Sequence, residues 1–183
     1  TIFYYKWPSN KNIALKGIIQ ISHGVGEHAG RYQPIAKTFQ DAGYEVYAND
    51  HRAHGKSAKN DDFLGFYDGD DYFSDALNDM RQLTEIIKKE HPNKKIILFG
   101  HSMGSLLSRE YAAKYAKKTG NIFCFKTFNF GKISFISRNN LFMRCHISLL
   151  IFKFMYSKGL APRSAPFLRS LNPCWPFGPA IKI

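Results

Sequence analysis

Three short apolar runs, each followed by a helical pattern, most strongly constrain the fold of this 183-residue chain. The runs lie at residues 18–21, 45–48 and 95–99. Continuous apolar runs of this length are typical of strands that are buried on both faces, as in a parallel sheet. Residues 2–7 alternate weakly and are compatible with an outer strand. Strands and helices in this order predict an α/β fold, with a mostly parallel sheet and helices on both faces.

Apolar side chains at helical spacing predict three helices within this pattern. The helices begin near Tyr32, Phe73 and Met103. Pro92 and Gly120 mark the ends of the second and third, because proline cannot continue a helix and glycine is common just past its last turn.

The distribution of charge divides the chain near residue 120. All 14 acidic residues lie between Glu27 and Glu110, and residues 1–120 carry 17 lysines and arginines. Residues 121–183 carry nine basic residues and no acid, together with ten of the 16 phenylalanines. We therefore predict two regions of different character, residues 1–120 as the folded α/β part and residues 121–183 as an atypical tail.

The net charge of +12 raises the question of a polyanionic partner. Because the excess lies in the tail while residues 1–120 are nearly balanced, we expect no nucleic-acid partner. Three irregularly spaced cysteines predict neither a disulfide framework nor a zinc site, which favours a reducing, cytoplasmic location.

Membrane insertion is not expected from the sequence. The most apolar run, residues 141–156, contains Arg144, His146 and Lys153 and is shorter than the roughly 18 residues of a spanning helix. Residues 1–8 lack the basic and apolar segments of a signal peptide.

The sequence from Gly100 to Gly104 has the pattern G-x-S-x-G between a predicted buried strand and a predicted helix. A nucleophilic serine needs an exposed hydroxyl on a sharp turn, and flanking glycines allow the backbone to crowd there without a Cβ clash. The helix that follows can favour a developing oxyanion through its N-terminal amides. Ser102 is therefore the predicted nucleophile, with Gly100, His101 and Gly104 as its supporting turn.

A histidine-glycine loop follows the first buried strand. His23 and Gly24 precede Val25, whose backbone N–H is placed to serve as an oxyanion donor of the kind seen after such a loop. A nucleotide-binding loop is the alternative, but the segment lacks a Walker lysine and the G-x-G-x-x-G spacing.

Five histidines are predicted to lie near one rim of the sheet, where the buried strands end. They are His23, His28, His51, His54 and His101. None of them has the H-E-x-x-H spacing of a helical zinc site, so we predict hydrogen bonds that order the loops and no metal.

Residues 23–32 (HGVGEHAGRY), 50–57 (DHRAHGKS) and 100–104 (GHSMG) together resemble the monoacylglycerol lipase and lysophospholipase group of α/β-hydrolases, also described as serine aminopeptidase S33-like. The resemblance covers roughly residues 1–118. It implies an α/β-hydrolase of lipid metabolism that attacks a small acyl ester through an acyl-serine intermediate and needs no cofactor. It implies Ser102 as nucleophile, and the amides of Val25 and Met103 as oxyanion donors. Peripheral contact with a membrane surface is compatible with it, and the oligomeric state is open.

The chain departs from this group after the serine. The group places an Asp or Glu and then a His on later strands, but here Glu110 is the only later acid and His146 the only later histidine. Glu110 lies two helical turns beyond Ser102, too far to orient a base beside it. We therefore expect the N-terminal half of a hydrolase domain, incomplete at its C-terminal side and weakly active, from a truncated or frameshifted gene. The alternative is a non-catalytic remnant.

Overall fold

The computed structural model describes residues 1–119, 122–128, 132–136 and 180–182. The strands β1 to β7 lie at Phe3–Trp7, Gly17–Ser22, Tyr44–Asn49, Ile96–His101, Ile122–Phe128, Lys132–Ile136 and Ala180–Lys182. The helices α1 to α3 lie at Gln33–Asp41, Tyr72–Glu90 and Met103–Thr119, and short 3₁₀ turns lie at Ala29–Tyr32, Gly55–Ser57 and Asp61–Phe63.

The strands form one mixed sheet in the order β6-β5-β4-β2-β3-β1-β7. Its centre is parallel, because β2 pairs in parallel with β3 and β4, and β4 pairs in parallel with β5. The three other strands, β1, β6 and β7, pair in antiparallel fashion. The α/β architecture expected from the strand and helix pattern is confirmed.

Helices cover both faces of this sheet. Leu98 of β4 packs with apolar side chains of α2 and α3 on one face. Its neighbours Ile97 and Phe99 point the opposite way and pack with the cluster that contains Ala36 of α1. Because side chains alternate across a strand, β4 contributes to two separate cores, and its carboxyl end is fixed between them.

Two strands, β4 and β1, add detail to the sequence expectation. The strand predicted to end at Phe99 continues to His101, because Gly100 and His101 still pair with Lys126 and Thr127 of β5. β1, whose sequence is compatible with an outer strand, lies second from the edge of the sheet, with β3 on one side and the short β7 on the other.

The tail contributes β5, β6 and β7, of which β5 falls where residues 123–130 alternate between apolar and polar side chains. A boundary at residue 120 stays a prediction. The helices described here include none with both the length and the apolar composition of a membrane span.

Candidate active site

Ser102 occupies a sharp turn between a strand and a helix. β4 ends at His101 and α3 begins at Met103, so Ser102 is the single residue between them. Its φ is +51°, and among the described residues only Ala53 shares a positive φ without being glycine. A left-handed conformation costs an L-residue about 1–3 kcal/mol, and such strain is concentrated at functional sites. The surrounding structure therefore keeps Ser102 in a backbone conformation that is locally unfavourable.

The two glycines of the turn leave no room for a side chain. A Cβ at Gly100 would lie 2.5 Å from the carbonyl oxygen of Gly104 and 2.7 Å from Cα of Ser105. A Cβ at Gly104 would lie 1.9 Å from the carbonyl oxygen of Ser22. The start of α3 thus packs directly on the end of β2, which brings the loop after β2 beside Ser102.

The histidine-glycine loop lies against the serine. A Cβ built on Gly24 would lie 3.1 Å from Cβ of Ser102 and 3.3 Å from Cδ2 of His101. The carbonyl oxygen of Gly24 accepts a hydrogen bond of 2.7 Å from Nδ1 of His23. Sequence reasoning placed these loops at one rim, and the structure brings Gly24, His101 and Ser102 into contact distance of one another.

The proton positions on His23 follow from its two partners. Nδ1 faces a carbonyl oxygen and must donate, while Nε2 accepts from the backbone N–H of His51 at 2.9 Å. A neutral imidazole has one donor and one acceptor nitrogen, so both are in use. Burial, followed by the neighbouring His51 and His54, lowers the pKa of His23 well below its usual value. His23 is thus a neutral, fixed part of the loop.

Asp50 connects the loop that follows β2 to the loop that follows β3. Its carboxylate accepts from the backbone N–H of Ala29 at 2.7 Å and from that of Lys56 at 2.8 Å. Burial raises the pKa of Asp50 to about 6, against these hydrogen bonds, which lower it. A Cβ at Gly55 would lie 2.4 Å from the carboxylate, so the loop needs glycine there as well.

The sequence profile of the family described as "Serine aminopeptidase, S33" matches residues 14–145. The chain belongs to this family. The matched segment includes the Ser102 turn and the loop from His23, and it extends beyond residue 120, where the sequence changes in character.

Relatives of this S33-family chain include lipases and esterases. Over 100 residues it is 39% identical to the monoacylglycerol lipase of Mycolicibacterium smegmatis, covering 55% of this chain and 34% of that protein. Over 103 residues it is 33% identical to the monoglyceride lipase of Homo sapiens, covering 54% and 31%. The chain thus spans about a third of the length of the curated relatives it matches.

Solved structures share the S33-family fold. A thermostable carboxyl esterase from Bacillus coagulans superimposes with a TM-score of 0.60 at 31% identity, covering 67% of this chain and 39% of that one. A structure titled "Lipase (Open form)" gives a TM-score of 0.58 at 26% identity, covering 67% and 39%. The α/β-hydrolase fold is therefore shown.

Two other histidines of the rim, His51 and His54, also form contacts within the loops of this S33-family chain. The rings of His23 and His51 lie 4.3 Å apart, and those of His23 and His54 lie 5.4 Å apart. His51 Nε2 is 3.0 Å from Oγ of Ser22, and His54 Nδ1 donates to the carbonyl oxygen of Arg52 at 2.7 Å. Burial lowers the pKa of both, that of His51 to about 3. They hold the loops in place.

A different cluster has ligand spacing for a metal. Within the described part of the chain, Glu45, Glu90 and His91 each place a ligand atom within 4.8 Å of the others. Lys6 Nζ lies 2.5 Å from Glu90 and 3.3 Å from Glu45, so a cationic side chain already occupies the group. The cluster lies where β3 begins, at the opposite edge of the sheet from Ser102. Sequence reasoning missed it because Glu45 is distant along the chain from the adjacent Glu90 and His91.

The described residues do not identify the acid and the histidine base that would complete a catalytic triad with Ser102. Glu110 lies within α3, on the helix that follows Ser102. His146, the only later histidine, lies outside the described residues.

Proposed function

We propose that this S33-family chain is a carboxylic ester hydrolase in which Ser102 is the nucleophile and forms an acyl-serine intermediate. The observation that carries the proposal is the left-handed Ser102 between β4 and α3. A serine on such a turn presents its hydroxyl at the top of the sheet, at the start of a helix. A serine in an ordinary loop has no need of two glycines without space for a Cβ or of a strained φ.

The oxyanion donors in this proposal are the backbone amides of Val25 and Met103. Gly24 and Val25 share a planar trans peptide, so the Val25 N–H points opposite to the Gly24 carbonyl oxygen that His23 holds. Met103 is the first residue of α3, where the amide has no acceptor within the helix. Two such donors stabilise the negative charge that develops on the carbonyl oxygen.

The proposed reaction has two steps. In the first, Ser102 Oγ bonds to the ester carbonyl carbon, its proton passes to a base and then to the leaving alkoxide, and the alcohol departs. In the second, water adds to the acyl-serine, and the acid is released as the Ser102 hydroxyl regains its proton. Side chains, backbone amides and water suffice, so we propose no cofactor.

The substrate class in this proposal is a monoacylglycerol-like or lysophospholipid ester. The names of the relatives support a lipid ester, since several are monoacylglycerol or monoglyceride lipases. Such substrates reside at lipid surfaces, so we also propose peripheral contact with a membrane.

We propose weak activity for the chain, and a non-catalytic, binding protein is the second candidate. The observation that favours the second is that His23 and His51 both use their ring nitrogens for the loops, so neither is available to take the Ser102 proton. In a related mechanism, loss of triad members leaves roughly 10³- to 10⁴-fold catalysis over water, which comes from the oxyanion hole and binding.

The test compares p-nitrophenyl acetate hydrolysis by the wild-type chain, Ser102→Ala and His146→Ala, with mass spectrometry for an acetyl group on Ser102. We expect slow hydrolysis and slow acetylation of Ser102, with His146→Ala like the wild type. No rate above buffer and no acetyl-Ser102 would favour the non-catalytic candidate. Turnover at ordinary enzymatic rates that both substitutions abolish would show that the tail supplies a base and would refute weak activity.

A further inference from the structure

Both the backbone N–H and the backbone carbonyl oxygen of Gly24 form hydrogen bonds to side chains. Its N–H donates to Oε1 of Glu27 at 2.6 Å, and its carbonyl oxygen accepts from Nδ1 of His23 at 2.7 Å. The first bond fixes the peptide that joins His23 to Gly24, and the second fixes the peptide that joins Gly24 to Val25. Glycine rotates more freely about its backbone dihedrals than any other residue, so without these two bonds the loop has other orientations open to it.

The acceptor that holds Gly24 is itself fixed. The phenol of Tyr32 donates to the same Oε1 of Glu27 at 2.7 Å, and NH1 of Arg31 lies 3.7 Å from Oε2. The Glu27 side chain is 14% exposed, whereas that of Arg31 is 42% exposed. Burial and the adjacent carboxylate raise the pKa of Tyr32, which keeps its phenol protonated as a donor. Glu27 is therefore anchored from the first turn that follows the loop.

Because Gly24 lies beside Ser102, the orientation of its backbone affects the proposed oxyanion site. A Cβ on Gly24 would lie 3.1 Å from Cβ of Ser102, so the peptide after Gly24 borders the serine. If that peptide turned over, a carbonyl oxygen would take the place of the Val25 N–H and would repel a developing oxyanion. The bond from Nδ1 of His23 opposes this turnover directly, and the bond from the Gly24 N–H to the Glu27 carboxylate, worth about 1.5–3 kcal/mol, fixes the preceding peptide and so limits rotation about Gly24.

We propose that Glu27 is a positioning residue that holds the Gly24 backbone so that the Val25 amide faces the Ser102 oxyanion site. The inference rests on the proposed function, because it takes Val25 as an oxyanion donor. Glu27 acts here as the hydrogen-bond acceptor for Gly24 and Tyr32. A negative charge near a developing oxyanion is unfavourable, and Tyr32 and Arg31 offset it.

The test compares Glu27→Ala, Glu27→Gln and Tyr32→Phe in the full chain. The amide oxygen of Gln can accept from both Gly24 and Tyr32, whereas Ala cannot. We expect Glu27→Ala to lower kcat for p-nitrophenyl acetate about 10- to 100-fold with KM within twofold, the effect of weakening one oxyanion donor. Glu27→Gln is expected to stay within about threefold of the wild type, and Tyr32→Phe to fall between the two. Asp41→Ala is the matched control, since Asp41 is an exposed acid in the same i,i+4 pairing, with Lys37.

A second readout does not depend on turnover. The short bond to a carboxylate places the Gly24 amide proton downfield in the ¹H–¹⁵N spectrum, and Glu27→Ala is expected to move the Gly24 and Val25 resonances while Glu27→Gln and Asp41→Ala leave Val25 in place. The positioning role is overturned if Gln is as damaging as Ala, if KM rises with kcat unchanged, or if Glu27→Ala leaves kcat and the Val25 resonance unchanged. If the wild-type chain forms no acyl-Ser102, the proposed function fails, and displacement or constancy of the Val25 resonance decides the positioning role by itself.

Discussion

The two edges of the parallel sheet use polar side chains in opposite ways. At the carboxyl edge, beside Ser102, the buried side chains of His23 and Asp50 bond to backbone groups of the loops, and the ring of His51 bonds to Oγ of Ser22. At the amino edge, Lys6 and Glu45 belong to a side-chain cluster of ions. The carboxyl edge is arranged to fix peptide orientations, whereas the amino edge ties the end of α2 to the sheet. Near Ser102, buried polar side chains therefore fix the backbone of the loops.

The largest expected effect comes from closing the space at Gly104. In Gly104→Ala the new Cβ would overlap the carbonyl oxygen of Ser22, a backbone atom that cannot move without β2. We expect a loss of about 4 kcal/mol or more in the free energy of unfolding, measured by urea denaturation. Ala112→Gly, in the partly exposed middle of α3, is the control and should cost about 1 kcal/mol. A Gly104→Ala chain of wild-type stability would contradict the close packing of α3 on β2.

Lowering the pH is expected to lower the free energy of unfolding through the buried histidines at the carboxyl edge of the sheet. The folded-state pKa values of His23, His51 and His54 are lowered, so below pH 6.5 the unfolded chain binds protons that the folded chain does not, and stability falls as the pH falls. Asp50, with its pKa raised to about 6, and Asp79, also raised, work in the opposite direction. The net loss is expected to be about 1–3 kcal/mol per pH unit below pH 6, since one proton corresponds to about 1.4 kcal/mol per unit.

Urea midpoints at pH 7.5, 6.0 and 5.0 measure this loss. The same stability at pH 5.0 as at pH 7.5 would show that these histidines become charged within the folded state, which is incompatible with their burial.

Removing the positive charge of Lys6 at the amino edge is expected to lower the stability of the chain. In Lys6→Met the carboxylate of Glu45, 9% exposed, loses a partner at 3.3 Å, and we expect a cost of about 1–2 kcal/mol because Lys6 is itself partly exposed. Lys37→Met, at the exposed Lys37–Asp41 pair, should cost less than about 0.5 kcal/mol. Equal costs at the two sites, measured by thermal unfolding, would remove the distinction between a buried and a surface ion cluster. Acylation of Ser102 should be unaffected by either change.

The smallest expected effect is a gain in stability at Ser102 itself. Glycine adopts a φ of +51° without the Cβ penalty that serine meets there, so Ser102→Gly should raise the free energy of unfolding by about 0.5–1 kcal/mol. Ser108→Gly, within α3, should lower it by about 1 kcal/mol. A destabilised Ser102→Gly chain would argue that the turn is relaxed and that the serine carries no stored strain.

Local sequence patterns predicted the central strands of the sheet and the position of Ser102 on a sharp turn. The apolar runs located β2, β3 and β4, and G-x-S-x-G between a strand and a helix predicted the sharp turn, because both depend on neighbours in the chain. The link between Glu27 and Gly24 is also local, and a carboxylate three residues after a loop glycine is a signal that could have found it.

Contacts between distant segments could not be predicted in this way. The contact of Gly104 with Ser22, the bond from Ala29 to Asp50 and the Lys6–Glu90 pair join residues 21 to 84 positions apart, which only the folded sheet brings together. Two of the three strands of the tail, β6 and β7, were missed for a related reason. A strand that completes a sheet edge takes its register from its neighbour, as β6 does from β5, and needs no strong pattern of its own.

The most direct measurement is to map the residue that a fluorophosphonate modifies in the folded wild-type chain by peptide mass spectrometry. Ser102 is expected to carry the phosphonyl group, slowly but to the exclusion of other serines, because it lies on the sharp turn beside Gly24 and at the start of α3, where the proposed oxyanion donors are. Heat-unfolded wild-type chain, which has the same residues without the turn, is the control and should not be modified at Ser102. A folded chain with Ser102 unmodified while other serines or tyrosines react would contradict the assignment of Ser102 as nucleophile.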